Sequence, residues 1–201
     1  MRLGIMCSGN GTNFENIITN PVCNKHEVVL MIHNTKQCGA VVRAAKFGIP
    51  HVRVPHKDEE KMIELFKAWR VDLIILAGYM RVIKNPEAFP APMINVHPSL
   101  LPKYKGLNAV EQAINNKEEF TGCSVHYVNE ELDGGQVKGC KDNVFPKDAD
   151  GNPIYPPANF KVWPIFDDKE RAELKEIMLE ALKEYHEKPN YSPYRLDELQ
   201  E

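Results

Sequence analysis

Asn95 and His97 stand two residues apart where an apolar run meets proline, in Ile94-Asn95-Val96-His97-Pro98-Ser99-Leu100-Leu101-Pro102. If 93–96 is a strand, alternation sends both side chains off the same side as the strand ends. An imidazole holds or delivers a proton near neutral pH, and an amide donor stabilises an oxyanion. Pro98 and Pro102 stiffen the chain beyond them. Asp133, in Leu132-Asp133-Gly134-Gly135, is the third polar group. A carboxylate near His97 would favour the charged imidazole. Asn, His and Asp together make a polar centre suited to acyl-type transfer, with no metal and no covalent nucleophile. The same residues also fit plainer roles. Asn95 can cap a strand end, His97 can be a core histidine bonded to backbone, and Asp before two glycines is a common turn-former.

Two further segments are built to touch ligands. Ser8-Gly9-Asn10-Gly11-Thr12-Asn13 follows the first apolar run and precedes a segment of helical spacing. Glycines there let backbone approach a ligand, and free N–H groups at a helix start favour an anion. The segment lacks the lysine of a phosphate-binding Walker loop, and Phe14 occupies the third glycine position of the dinucleotide fingerprint. Its other reading is a tight turn capped by Thr12 or Asn13. The second segment is Leu76-Ala77-Gly78-Tyr79-Met80-Arg81-Val82-Ile83. A buried strand ending at glycine, followed by Met, Arg and aliphatics, can line a groove for a flat heterocycle, or simply pack between strand and helix.

The elements that position these groups alternate. Residues 2–7, 27–33, 51–55, 72–77 and 93–96 read as strands, and 14–18, 38–47, 58–69 and 107–116 as helices. Such alternation predicts an α/β fold with a mostly parallel central sheet. Residues 122–128 alternate like a half-exposed strand, and a short strand follows the turn at 132–135. Residues 141–164, rich in Pro, Asp and Asn, read as a long loop. Residues 168–187 read as a charged amphipathic helix. The chain of 201 residues is expected to form one domain over 1–188, with an irregular tail over 189–201.

Bulk properties exclude several classes. A net charge of −3 gives no basic field for nucleic acid, and no apolar window approaches a membrane span. Five cysteines without C-x-x-C spacing argue against a disulfide framework or a cysteine-rich zinc site. No leader segment is evident, and the expected setting is cytoplasmic. The seven histidines show no paired metal-ligand spacing. Cys7 lies in an apolar strand, where burial makes an inert thiol.

SGNGTN, LAGYMRVI, INVHPSLLPKYKG and GCSVHYVNEELDGG occur in this order, and the set resembles the 10-formyltetrahydrofolate-dependent formyltransferases. The resemblance covers about residues 1–140, and the SGNGTN start points to the glycinamide ribonucleotide branch of purine synthesis. It implies a Rossmann-like three-layer formyltransferase fold, a folate co-substrate and no metal. The partners it implies are small molecules, a folate and a phosphorylated amine, for a monomer or homodimer. By position, the resemblance makes Asn95, His97 and Asp133 catalytic. Gly11, Thr12 and Asn13 would hold the substrate phosphate, with Gly9 and Asn10 shaping the loop. Met80, Arg81, Val82 and Ile83 would line the folate pocket. Glu130, Glu131 and Leu132 would close beside the pterin, and Lys57 would stand near the folate glutamate.

The chain departs from the family pattern at Lys105, where Pro is common, at Asn108, where His is frequent, and at Gln136-Val137-Lys138. Beyond residue 145 the usual C-terminal pattern is not found. The expected acceptor is glycinamide ribonucleotide. The alternatives are another small amine, such as an amino sugar or a hydroxylated amino acid, or a non-catalytic binding domain.

Overall fold

The computed structural model describes residues 1–19, 25–144 and 148–153. The described residues form two compact units, residues 1–93 and the residues from Ile94 onward.

The first unit alternates strand and helix. β1 (Arg2–Cys7), β2 (Glu27–His33), β3 (His51–Arg53) and β4 (Leu73–Leu76) are separated by α1 (Thr12–Thr19), α2 (Ala40–Lys46) and α3 (Glu59–Ala68). β1 lies between β2 and β4, β3 flanks β2, and all three pairings are parallel. Each strand but β3 is an apolar run, which is the signature of a strand covered on both faces. All four residues of β4 and five of the six in β1 are buried. β3 is shorter than expected and exposed throughout, as befits a strand with a single partner. Asp58 starts α3 by accepting the Lys61 N–H at 3.1 Å, and the helix buries Met62 and Phe66.

The second unit opens with β5 (Met93–His97). It continues through α4 (Ala109–Asn115), β6 (Phe120–Tyr127) and β7 (Val137–Val144). β6 pairs antiparallel with both β5 and β7. The α/β class holds, with four parallel strands and an antiparallel remainder.

Two expectations are corrected here. β6 is not half-exposed, because every residue from Thr121 to His126 is buried. Ser124 and His126 face partners rather than water: Ser124 Oγ donates to the Ser99 carbonyl and His126 Nδ1 to the Tyr127 carbonyl. The loop expected from residue 141 also begins later, since β7 runs to Val144. Its Lys-, Asp- and Asn-rich end lacks strand propensity, yet the backbone pairs with β6 from Cys123↔Lys141 to Phe120↔Val144. The predicted helix at 168–187, the tail at 189–201 and most of the 141–164 segment lie outside the described residues.

Candidate active site

The second unit gathers three of the polar groups chosen from sequence. Register places Asn95 opposite His126 and His97 opposite Ser124. Asn95 and His97 therefore leave one side of β5, and His126 joins them from β6. Asp133 comes from the turn between β6 and β7, held at φ 49°. Non-glycine residues adopt that left-handed conformation when their surroundings fix it. Gly135, two residues on, lies against the Tyr127 backbone so closely that a Cβ would strike the Tyr127 carbonyl oxygen. That contact explains why glycine must follow the aspartate.

Asp133 is the hub. Its Oδ2 lies 3.3 Å from His97 Nδ1 and accepts the Gly106 N–H at 2.7 Å. Its Oδ1 lies 3.3 Å from His126 Nε2 and accepts from Asn95 Nδ2 at 3.4 Å. Asn95 Nδ2 also lies 3.2 Å from His126 Nε2. His97 is 4% exposed, His126 2% and Asp133 9%, so these contacts form in a medium far less polar than water. Burial pushes the Asp133 carboxyl up. The His126 hydrogen bond, the Gly106 N–H and the positive charge of the two imidazoles outweigh it and leave the group below its ordinary value.

The far nitrogen of each histidine meets a carbonyl. His97 Nε2 donates to Tyr104 O at 2.8 Å, and His126 Nδ1 donates to Tyr127 O at 2.8 Å. His97 thus sits between a carbonyl and a carboxylate, with an acceptor at each ring nitrogen. An imidazolium satisfies both acceptors, whereas a neutral ring satisfies one. His126 Nε2 meets both an acceptor, Asp133 Oδ1, and the Asn95 amide. Half-buried Asn95 is the amide donor at the edge of the cluster.

Sequence reasoning set His126 aside with the other histidines as lacking metal spacing. Its signal was present: β6 alternation together with antiparallel pairing to β5 puts it beside Asn95. Tyr104 and Gly106 contribute only backbone groups, so their side chains gave no sign.

In the first unit, the loop after β1 is fastened by its carbonyls. Thr35 Oγ1 donates to Ser8 O at 2.9 Å, and Cys38 Sγ donates to Gly9 O at 3.3 Å. The Ala40 N–H reaches the same Gly9 carbonyl at 3.1 Å, and the Glu15 N–H reaches Gly11 O at 2.9 Å. Arg43 Nε donates to Asn10 O at 2.7 Å. By contrast, the N–H groups of Gly9, Asn10, Gly11, Thr12 and Asn13 have no hydrogen-bond partner among the described residues. Four consecutive carbonyls drawn one way leave a row of donors at the start of α1, the arrangement that binds an anion. Gly11 has φ 73°, and a Cβ there would lie 2.6 Å from Ala40 Cβ, so neither conformation nor space admits a side chain.

The Gly78–Ile83 segment is tied to this loop. Ser8 donates its N–H to Gly78 O at 3.1 Å, and its Oγ accepts the Met80 N–H at 2.9 Å. Met80 and Val82 are each 60% exposed, Arg81 is exposed, and Ile83 is buried in the core. Ile83 therefore reaches a ligand only through its backbone, which refines the expectation for these four residues. Lys57 and Val82 line one pocket of about 320 Å³ together with His56 and Lys84. In the second unit, Glu130 and Glu131 are exposed, Leu132 is 53% exposed, and Lys105 pairs with Glu131 at 2.6 Å. Cys7 and Cys123 are buried, and burial pushes each thiol up to about 12, which rules them out as nucleophiles.

Residues 1–149 match the family described as formyl transferase. The phosphoribosylglycinamide formyltransferase of Haemophilus influenzae is 35% identical over 162 residues, covering 74% of this chain and 76% of that one. The trifunctional purine biosynthetic protein adenosine-3 of Homo sapiens is 33% identical over 147 residues, covering 68% of this chain but only 15% of that much longer protein. Among solved structures, the phosphoribosylglycinamide formyltransferase of Bacillus halodurans aligns with a TM-score of 0.75 at 28% identity. That alignment covers 96% of this chain and all of the other. A glycinamide ribonucleotide transformylase from Symbiobacterium toebii aligns with a TM-score of 0.73 at 27% identity, covering 93% of this chain and 88% of that one.

Proposed function

We propose that the chain, which belongs to the formyl transferase family, transfers the formyl group of 10-formyltetrahydrofolate to the amine of glycinamide ribonucleotide in purine synthesis. The observation that carries the reading is the cluster of Asn95, His97 and Asp133, which sets an imidazole with an acceptor at each ring nitrogen beside an amide donor shared with Asp133 and His126.

In this reading the substrate amine attacks the formyl carbon, and the carbonyl oxygen gains negative charge in the tetrahedral intermediate. Asn95 donates to that oxygen, and the His97 imidazolium stabilises it electrostatically. Both His97 nitrogens are held by acceptors, so the ring acts first through its charge and passes a proton only by exchanging one of those bonds. Asp133 keeps the ring charged and assists proton movement. The new N–C bond forms, the bond between the formyl carbon and folate N10 breaks, and the proton lost by the amine ends on N10.

The N–H groups of Gly11, Thr12 and Asn13 take the acceptor's phosphate, in a loop shaped by Gly9 and Asn10. Met80 and Arg81 with Val82 and the Ile83 backbone, together with Glu130, Glu131 and Leu132, contact the folate, and Lys57 supplies charge for its glutamate. The cysteines at 7, 38, 123 and 140 are free, which fits a cytoplasmic setting.

A spectroscopic assay of tetrahydrofolate formation tests the reading. Turnover is expected with glycinamide ribonucleotide and not with amino sugars or hydroxylated amino acids. Turnover only with one of those amines would overturn the acceptor, and no turnover with any amine would overturn the transfer activity.

A further inference from the structure

Tyr104 presents its carbonyl to His97 Nε2 from an unfavourable backbone conformation. Its φ of 56° lies in the left-handed region, where a bulky aromatic residue is rarely found unless its surroundings impose it. The phenol shows what imposes it. Tyr104 Oη donates to Glu118 Oε1 at 2.6 Å, and Lys103 Nζ reaches the same oxygen at 2.8 Å. Ser99 Oγ fastens the base of the loop by donating to Lys103 O at 2.6 Å.

Glu118 is itself a fixed point. It follows α4, where the Glu118 N–H bonds to Ala113 O at 3.1 Å and the Lys117 N–H bonds to Ile114 O at 2.9 Å. With Lys117 at φ 54°, these two bonds form the Schellman closure of a helix C-terminus. A carboxylate just past that end meets the negative pole of the helix, which is unfavourable. Its placement makes sense through what it holds. Hydrogen bonds from Lys103 and Tyr104 keep the Glu118 carboxyl below its ordinary range.

We propose that Glu118 is a positioning residue for His97. It acts through the Tyr104 phenol to fix the Tyr104 carbonyl on His97 Nε2, and so fixes which face of the imidazole meets Asp133. The inference rests on the reading of His97 as the charged residue of formyl transfer. The groups facing the ring are Asp133 on Nδ1, the Tyr104 carbonyl on Nε2, and His126, whose ring centroid lies 6.5 Å away. Glu118 reaches this set through the Tyr104 phenol. Lys103 shares the Glu118 oxygen and so steadies the anchor.

The test compares Tyr104→Phe, Glu118→Ala, Glu118→Gln and the Tyr104→Phe/Glu118→Ala pair with the parent chain. Glu64→Ala, which removes an exposed ion pair to Lys61, serves as a control. Steady-state kinetics should show a roughly tenfold fall in kcat for Tyr104→Phe and Glu118→Ala, with both KM values within about twofold. The double variant should lose no more than the larger single loss, because both changes cut one link. Glu118→Gln keeps an acceptor for the phenol and should recover most of the rate. Long-range nitrogen–proton NMR of the His97 ring should show the Nε2-bound proton, sharp and shifted by its bond to the Tyr104 carbonyl in the parent chain, moving and broadening in Tyr104→Phe and Glu118→Ala. Parent-like His97 ring signals in both variants would overturn the inference, as would singles whose kcat losses multiply in the double. If the parent chain transfers no formyl group, the functional reading fails, and the ring signals still decide the positioning inference. If Glu118→Ala does not fold, Glu118→Gln and Tyr104→Phe carry the comparison.

Discussion

Replacing Asp133 by Asn removes the charge at the hub while keeping its shape. The Asn oxygen can still accept the Gly106 N–H, the shortest Asp133 contact at 2.7 Å, so the turn should persist. What is lost is the carboxylate 3.3 Å from His97 Nδ1. At that separation and an effective dielectric of about 20, the attraction between carboxylate and imidazolium is roughly 5 kcal/mol. Reorganisation and residual solvent return part of it, which leaves an expected fall in kcat of about tenfold to a thousandfold. The charge that Asp133 sustains on His97 is felt by the oxyanion that forms during reaction, so both KM values should stay within about threefold. The assay is tetrahydrofolate formation at saturating substrates, with thermal unfolding as the control for fold. The unfolding midpoint should lie within about 5 °C of the parent. A kcat within threefold of the parent, in a folded variant, would refute the reasoning that Asp133 sustains the charge on His97.

Gly11→Ala places a Cβ 2.6 Å from Ala40 Cβ at φ 73°. It should raise the KM for the phosphorylated acceptor about tenfold or more and leave the folate KM near the parent value, as read by steady-state kinetics. His126→Ala removes partners of both Asn95 and Asp133 and the Nδ1 donor to the Tyr127 carbonyl. A kcat loss of roughly ten- to a hundredfold is expected, with a destabilisation of about 1–3 kcal/mol by urea unfolding. The folded carboxyl of Asp133 lies below its unfolded value, so its stabilising contribution is full above the unfolded pKa and is lost as pH falls through the folded one. Urea unfolding at pH 7 and pH 3 should therefore show a smaller acid loss for Asp133→Asn than for the parent. Alkylation of the folded chain at pH 8, read by peptide mass spectrometry, should label exposed Cys140 and spare Cys7 and Cys123.

The parallel half of the fold was legible because β1, β2 and β4 are covered on both faces and carry unbroken apolar runs. The antiparallel half was less so. Ser124 and His126 look like an outward face, but the fold buries them against backbone and side-chain partners. The end of β7 carries Lys141 and Asp142, and its strand character comes from pairing with β6 rather than from its own residues. Asn95 and His97 could be placed on one side of a strand by alternation alone. Joining them to Asp133 needed the turn between β6 and β7, which periodicity does not locate in space. The loop at 9–13 was readable from its glycines as a turn with free backbone donors at the start of a helix. That its carbonyls are held by Thr35, Cys38, Ala40 and Arg43 was not readable, since those residues lie 25 or more positions away.

The central claim is that one carbon passes intact from folate to the acceptor amine. Incubating the chain with 10-formyltetrahydrofolate labelled with ¹³C in the formyl group and with glycinamide ribonucleotide tests it directly. The label is expected to appear as an amide-linked formyl on glycinamide ribonucleotide, in step with tetrahydrofolate release. Label recovered as free formate, or absent from glycinamide ribonucleotide while folate is consumed, would contradict it.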